Sequence, residues 1–373
     1  MTDRLLVRRA RSVLSDEHAA VLELNAQLQA DNASVVVFYC SEAYDLPRLG
    51  RALAETFPGP VMGCTSAGQI ADTGYVDGGI TAVSLTSSQL RASPHLISPL
   101  SDSNAAAEVG YHVVAELVRS SSRKGFGVLL IDGHSGAEER TISALFEVLG
   151  DVPLVGGSAA DEHTNAGTFV YHAGAFHQNA AVFTLFETTL PFSTFKVQHV
   201  VPGRTKVVIT EADAGRRLVY EINGKPAAAE YARLIGIHPV ELTPVVSAEH
   251  PLIWSVGGEH FVRGIRAVNA DGSLSFYCAI ETGLVLSIGE PTSALAALDE
   301  GFARATERVV SPAVVLGFDC VSRRREFERR GEADTVGHYL ASQTVVGFCT
   351  YGEQFGSLHV NQTFTAVVIG GGD

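Results

Sequence analysis

The sequence predicts an α+β protein whose mixed β-sheets, flanked by helices, are built from repeated strand-helix-strand-strand units. Three observations carry this. A short apolar run followed by glycine and small hydroxyl residues is written three times: Val61-Met62-Gly63-Cys64-Thr65-Ser66-Ala67-Gly68-Gln69, Leu154-Val155-Gly156-Gly157-Ser158-Ala159-Ala160-Asp161 and Val345-Val346-Gly347-Phe348-Cys349-Thr350-Tyr351-Gly352-Glu353. Each copy has an apolar run upstream (Val35 to Tyr39, Val128 to Ile131, Val314 to Phe318) and a β-branched strand downstream (Ile80 to Thr86, Ala180 to Phe186, Thr363 to Ile369). The first two units are offset by a constant 93 residues, Val35 to Val128 and Gly63 to Gly156, which marks an internal duplication; the unit from Val314 to Ile369 repeats the pattern more loosely. Each copy reads as a strand entering a turn with open backbone amides. That makes Gly63, Cys64, Thr65, Ser66, Gly156, Gly157, Ser158, Tyr351, Gly352 and Glu353 the candidate ligand pocket.

The elements follow in order. Residues 16 to 30 read as a helix with Ala20, Leu22, Leu24 and Leu28 on its apolar side. After the strand Val35 to Tyr39, Leu46, Leu49, Leu53 and Phe57 step at helical spacing until Pro58-Gly59-Pro60 ends the helix. Residues 88 to 103 read as a strand edge and loop. The next helix carries Val109, Val113, Ala115, Leu117 and Val118, starts at an Asp102 or Ser103 cap and stops near Gly125. The strand Val128 to Ile131 runs into Asp132-Gly133-His134-Ser135-Gly136, and Ser135 to Glu138 has capping-box spacing, a helix start that also suits an anion. Leu218 to Ile222 closes in an Asn223-Gly224 turn and enters a helix that ends at Gly236. Asn269-Ala270-Asp271-Gly272 joins Phe261 to Val268 with Ser273 to Ala279 as a hairpin. A helix from Ala294 to Val309 leads into the third unit.

A chain of 373 residues, 46% of them hydrophobic, has length for two domains and a real core. With 41 acidic against 27 basic side chains the net charge is -14, which repels nucleic acid and anionic lipid. The dense basic run, Arg323-Arg324-Arg325 with Arg329-Arg330, is interleaved with Glu326 and Glu328 and reads as a solvated helix face. No secretory h-region follows the arginine-bearing residues 1 to 13, and no apolar run reaches the ~18 to 20 residues of a membrane span, so a cytoplasmic protein is expected. Five cysteines without a CxxC argue against a disulfide framework and a zinc ribbon.

In Pro191 to Pro202, alternation puts His199 on one face with Phe195 and Val197, with Lys196, Gln198 and Val200 opposite. Such an imidazole is either a hydrogen-bonded core group or an axial iron ligand. Cys40 and Cys64, and Cys320 and Cys349, fall near strand ends; Cys320 and Cys349 with Cys278 form an alternative metal set for an iron-sulfur cluster, or serve as small buried hydrophobes.

The order of motifs resembles the FIST proteins, a bacterial sensory group with an N-terminal and a C-terminal FIST domain. Val61 to Gly68 resembles the first domain's Gly-Cys-Ser/Thr signature. Glu221-Ile222-Asn223-Gly224-Lys225-Pro226-Ala227, Thr350 to Gln354 and His359-Val360-Asn361-Gln362-Thr363 resemble the hallmarks of the second. On this reading residues 1–32 are an N-terminal helical segment, 33–217 the FIST N-terminal domain and 218–373 the FIST C-terminal domain. Phe195 to His199, Phe276-Tyr277-Cys278-Ala279-Ile280 and Asp319-Cys320 resemble the stand-alone NosP-type members. That resemblance implies a haem-binding nitric-oxide sensor regulating a histidine kinase or a cyclic-di-GMP enzyme, with His199 as the iron ligand, Gln198 beside it, and Lys196 and Arg204 as propionate partners. The phenylalanine in Phe348-Cys349-Thr350 and the pair His199-Val200 depart from the pattern.

Three function classes follow: a haem-based gas sensor, a sensor of a small metabolite such as an amino acid, and an enzyme using Cys64 or Cys349 as nucleophile. No nucleophile elbow, phosphate loop or metal-helix motif supports the third, so no enzymatic activity is expected. A homo-oligomer is compatible with the sequence.

Overall fold

The computed structural model describes residues 3–120, 124–162, 167–309 and 311–372. It is a mixed α+β architecture of several mixed sheets flanked by helices, as the patterning predicts. All three units share one topology. In the first, an edge strand (Leu6–Ser12) and a helix (Glu17–Leu28) precede a central strand (Val35–Cys40), a second helix (Leu46–Thr56), a strand parallel to the central one (Val61–Thr65) and a return strand (Ile80–Thr86). The second unit repeats this with Leu90–Ile97, Ala105–Arg119, Lys124–Asp132, Glu138–Leu149, Leu154–Ala159 and Ala181–Thr188. The third uses Phe192–Val197, Ala294–Thr306, Pro312–Cys320, two helices (Val321–Arg330 and Ala333–Ser342), Val345–Thr350 and Phe364–Gly370. The loosest repeat in sequence is therefore a full repeat in topology. The edge strand Leu6–Ser12 gives no strand signal of its own; it exists because Ile80–Thr86 offers it seven register partners.

The units are locked together by exchanged hairpins. Gln69–Ala71 of unit one pairs with Val345–Thr350 of unit three, Val170–His172 of unit two with Val61–Thr65 of unit one, and Glu353–Phe355 of unit three with Leu154–Ala159 of unit two. Three such exchanges close a ring. Its centre is one apolar cluster to which all three sheets contribute, for example Val37, Met62 and Val83, Val128, Val155 and Val182, and Leu316, Val346 and Val367. Each sheet's outer face is covered by its own helices. Every fully buried Val, Leu or Phe there contributes about 1.5–3 kcal/mol relative to exposure.

The repeated glycine has a packing reason, not a turn reason. Gly63, Gly156 and Gly347 lie inside strands, opposite Tyr171, Gln354 and Ile70 of the incoming hairpins. A Cβ at each would collide with the carbonyl of the parallel neighbour, at Phe38, Leu129 and Gly317. The expectation of open amides at these stretches is thus corrected. Thr65 N–H donates to Phe169 O, Ser158 N–H to Gly352 O, Tyr351 N–H to Ser158 O and Cys349 N–H to Gly68 O.

Between Phe192–Val197 and Ala294–Thr306 the chain makes a long excursion, residues 200–291, with its own sheet and core. It sits over one end of the ring as a cap. The Asn223-Gly224 turn forms with both residues in the left-handed region (φ 55° and 71°), and the Asn269 to Gly272 hairpin forms between Ile265–Val268 and Leu274–Phe276. The strand expected over Phe261 to Val268 is broken at Gly264 and divides between two arms of that sheet: Glu259–Arg263 pairs with Leu252–Val256, and Ile265–Val268 with Leu274–Phe276.

Two further expectations are corrected. The Ser135 to Glu138 capping box does not form: Ser135 Oγ donates to Asp132 O at 2.6 Å, and the Glu138 carboxylate turns to Ser158 and Arg217 instead. The basic run is a solvated face only in part: Arg329 and Arg330 are exposed, but the first two arginines are not. Arg323 is fully buried and Arg324 nearly so, because Asp319, one turn back, takes the Arg323 Nε–H at 2.6 Å and Asp77 and Glu328 take Arg324 at 2.7 and 2.8 Å. Asp319 and Glu328 are i,i+4 neighbours within the local pattern, whereas Asp77 comes from unit one and is invisible in it.

Candidate functional site

Where the cap meets the ring, a cleft of about 650 Å³ lies between three walls. The floor is the Gly133–Gly136 loop that follows the central strand of unit two, together with Tyr351 of the unit-three hairpin. The cap contributes Arg216, Arg217, Arg266, Asn269, Ser275 and Tyr277, and the helix Val321–Arg330 contributes Arg325. Its size is that of a small-molecule site.

Arg217 holds the walls together. Held in the left-handed region (φ 53°), it donates to Glu138 at 2.7 Å, to Glu139, and to the Tyr277 carbonyl at 2.6 Å. Burial would lower its pKa, but Glu138 and Glu139 outweigh this and raise it, so it is a fixed cation. Glu139 also accepts the Ala279 N–H at 2.6 Å; against the upward pull of burial, His359 and Arg217 hold its carboxyl below the usual range. Two carboxylates share this one arginine, so the cluster keeps one negative charge in excess.

Three further guanidinium groups line the cleft. Arg266 is exposed and makes no salt bridge to a described residue. Arg216 is exposed, with Asp271 in its field. Arg325 is half-buried and hydrogen-bonds Tyr277. At the floor, His134 stacks on Tyr351 with centroids 5.7 Å apart and faces Asp161 at 3.9 Å, while Tyr351 Oη donates to Asp161 Oδ1 at 2.5 Å. Asp132 fixes the loop by accepting from the His134 N–H at 3.0 Å and the Asn179 N–H at 2.6 Å. A concave, cationic, hydrogen-bonding cleft in a protein of net charge -14 suits an anionic guest.

Of the residues singled out from sequence, Tyr351 lines this cleft, and Ser158, Gly352 and Glu353 lie behind it in the exchanged hairpin and its partner strand. Glu353 is fully buried and accepts from Thr350 and from Thr363 N–H and Oγ1 at 3.1 and 2.7 Å; burial pushes its carboxyl up to about 8. Gly63, Cys64, Thr65, Ser66, Gly156 and Gly157 serve the strand ladder and the ring core. Arg266 was not singled out, whereas the Gly133–Gly136 stretch that carries His134 was read as a helix start suiting an anion. Arg325 and Arg217 each stand beside another arginine, the first within the helix Val321–Arg330 and the second just before the strand Leu218–Ile222.

His199 lies outside the cleft. Its side chain is fully buried between ring and cap: Nδ1 accepts from Arg323 Nη1 at 2.8 Å and Nε2–H donates to Glu326 Oε2 at 3.0 Å. Burial lowers its pKa, so the ring is neutral. Both nitrogens are taken, and an iron ion would have to displace Arg323 or Glu326. In this arrangement the residues do not fit a haem. Lys196 lies over the Phe261 ring at 5.2 Å, Gln198 donates to Val200 O at 2.8 Å, and Arg204 is exposed on the cap strand Val200–Asp213. An iron-sulfur cluster is not accommodated either: Cys278 lies beside Arg263, Cys349 beside Arg324 and Cys320 under Glu353, and no three metal-competent side chains gather among the described residues. As for nucleophiles, Cys64 and Cys349 are buried; burial pushes the first well above a normal thiol and the second up to about 12, opposite to an activated thiolate.

The chain belongs to the FIST family, whose domains are sensor domains of signal transduction: the FIST N domain matches residues 34–225 and the FIST C domain residues 227–356. The cleft draws on both, with Gly133–Gly136 and Arg217 from the first span and Arg266, Arg325 and Tyr351 from the second. No curated protein matches the sequence. Among solved structures, a cyanuric acid hydrolase described as an "evolutionary innovation by structural concatenation" is similar over 98% of this chain and 100% of its own, at 8% identity and a TM-score of 0.34. That likeness is too slight to support an argument. Among the described residues, no helix is long and apolar enough to cross a membrane.

Proposed function

We propose that this FIST protein senses a small anionic metabolite bound in the cleft between ring and cap, and passes its occupancy to a partner through protein contacts. The observation that supports it is Arg266: an exposed guanidinium in the lining of a concave site that Arg216 and Arg325 also line, with no carboxylate partner among the described residues. Arginine's planar fork matches a carboxylate or phosphate in two hydrogen bonds, each worth about 1.5–3 kcal/mol when charged. The reader of the signal would be a separate protein, and a histidine kinase or a cyclic-di-GMP enzyme is the class that the family resemblance implies. The haem and nitric-oxide reading depends on His199, and nothing around that residue favours it.

The test is thermal denaturation with succinate or citrate. A ligand that binds only the folded state raises the melting temperature with its concentration. The rise is expected in the wild type and is expected to shrink in Arg266→Ala. A stoichiometric Soret band after haem addition, collapsing in His199→Ala, would replace this reading with the gas-sensor one.

A further inference from the structure

Three like units turn their outer helices to solvent, yet their surfaces are unequal. Among the described residues, the helices of unit three expose no large hydrophobic side chain and those of unit one expose Leu22 alone. Those of unit two expose Tyr111, Val118 and Phe146, at 66%, 73% and 46%. Tyr111 and Val118 belong to one stripe. With the half-buried Ala107 and Val114 they stand at i, i+4, i+7 and i+11 along the helix Ala105–Arg119, the spacing of a helix that packs on another helix. The helix Glu138–Leu149 lies close beside it, because a Cβ at Gly110 would already stand 3.0 Å from the Val148 side chain. Half-buried Ala144 and Val148 carry the apolar surface across to that second helix. A continuous apolar face of this kind, rimmed by polar groups, marks an interaction site.

The charges on its rim say what covers it. Glu108 stands near the start of the stripe and Arg119 at its end; both are exposed, and neither forms an ion pair with a described residue. Glu116, by contrast, is turned to His95 at 3.4 Å. Glu108 and Arg119 are about three turns apart and therefore share one flank of the helix. A copy of the same helix laid antiparallel brings its Arg119 to Glu108, and the two-fold axis makes that pair twice. The same reversal sets Tyr111 beside Val114 of the second copy, and the small Ala107 beside Val118. A parallel copy would place Glu108 against Glu108, and a foreign helix of one charge would suit one end and oppose the other. We infer that the outer face of unit two is a homodimer interface in which the helices Ala105–Arg119 of two copies pack antiparallel.

Sedimentation velocity on the full chain, over about 1 to 100 μM, tests it and is expected to show a monomer–dimer equilibrium. Val118→Glu, at a position exposed in the single chain, should weaken the dimer about a hundredfold, since each substitution enters the interface twice. Glu108→Arg should weaken it about tenfold, and Glu108→Arg with Arg119→Glu should return it to within about threefold of the wild type. Circular dichroism checks that all variants keep the helix. A monomer at every concentration would overturn the inference and leave the face to a different protein. A dimer that survives Val118→Glu would overturn it by placing the interface elsewhere. A dimer lost in Glu108→Arg and not recovered by the double exchange would overturn the antiparallel arrangement.

Discussion

At the scale of single residues, buried polar groups set the protein's response to pH. His199 accepts from Arg323 and donates to Glu326, and the chain continues through Arg323 to Asp319 and the Tyr75 hydroxyl. Removing the imidazole leaves a buried guanidinium short of an acceptor, so His199→Ala is expected to cost about 3 kcal/mol in urea denaturation. The pKa of His199 is lowered on folding from 6.5, so the unfolded chain binds the extra proton first. Stability is lost as pH falls from about 6.5 downward, and His199→Gln should flatten that limb. Glu353 works in the other direction. Its carboxyl rises from 4.5 to about 8 on folding, so its contribution is complete below 4.5 and fades as pH rises through 8. Glu353→Gln should abolish that decline in denaturation midpoints measured across the same range. Neither behaviour was legible beforehand: alternation put His199 on one face with Phe195 and Val197, but the strand ends at Val197 and the imidazole's partners lie more than 100 residues away.

At the scale of elements, the glycine repeated in the three motifs is where the strand must pass closest to its parallel neighbour. Gly156→Ala and Gly347→Ala are expected to destabilise by roughly 2–4 kcal/mol, since backbone carbonyl stands where the methyl would go. Gly136→Ala, with open space but φ of 62°, should cost only about 1 kcal/mol; equal losses at the two kinds of site in guanidinium titrations would contradict the packing account. Helices and strands were largely readable because their apolar spacing is a local property: Leu46, Leu49, Leu53 and Phe57 are all buried, and Pro58 follows the last turn. The glycine motif was found as a motif and misread as a turn, because a strand pressed against a neighbour's carbonyls and a turn both call for a missing side chain. Likewise Ser135 and Glu138 have capping spacing, but Arg217, from another body, draws the carboxylate away.

At the scale of the whole molecule, the exchanged hairpins make the three units interdependent. Cutting the chain between residues 190 and 191 would strip Leu154–Ala159 of its hairpin partner and expose the common core, so residues 1–190 alone are expected to aggregate and to become soluble when co-expressed with 191–373. The repeat itself was visible in the sequence through the 93-residue spacing of the first two units; the ring was not, since pairing between units leaves no period in the chain. The same distance in sequence hid the cleft, whose arginines come from loops and elements of both FIST spans. Hydrogen–deuterium exchange with and without citrate, read peptide by peptide, tests most directly whether that cleft is the sensing site. Protection concentrated in Gly133–Gly136, Arg216–Arg217 and Ile265–Phe276, and lost in Arg266→Gln, is the predicted result. Protection confined to peptides remote from the cleft, or unchanged in that variant, would contradict it.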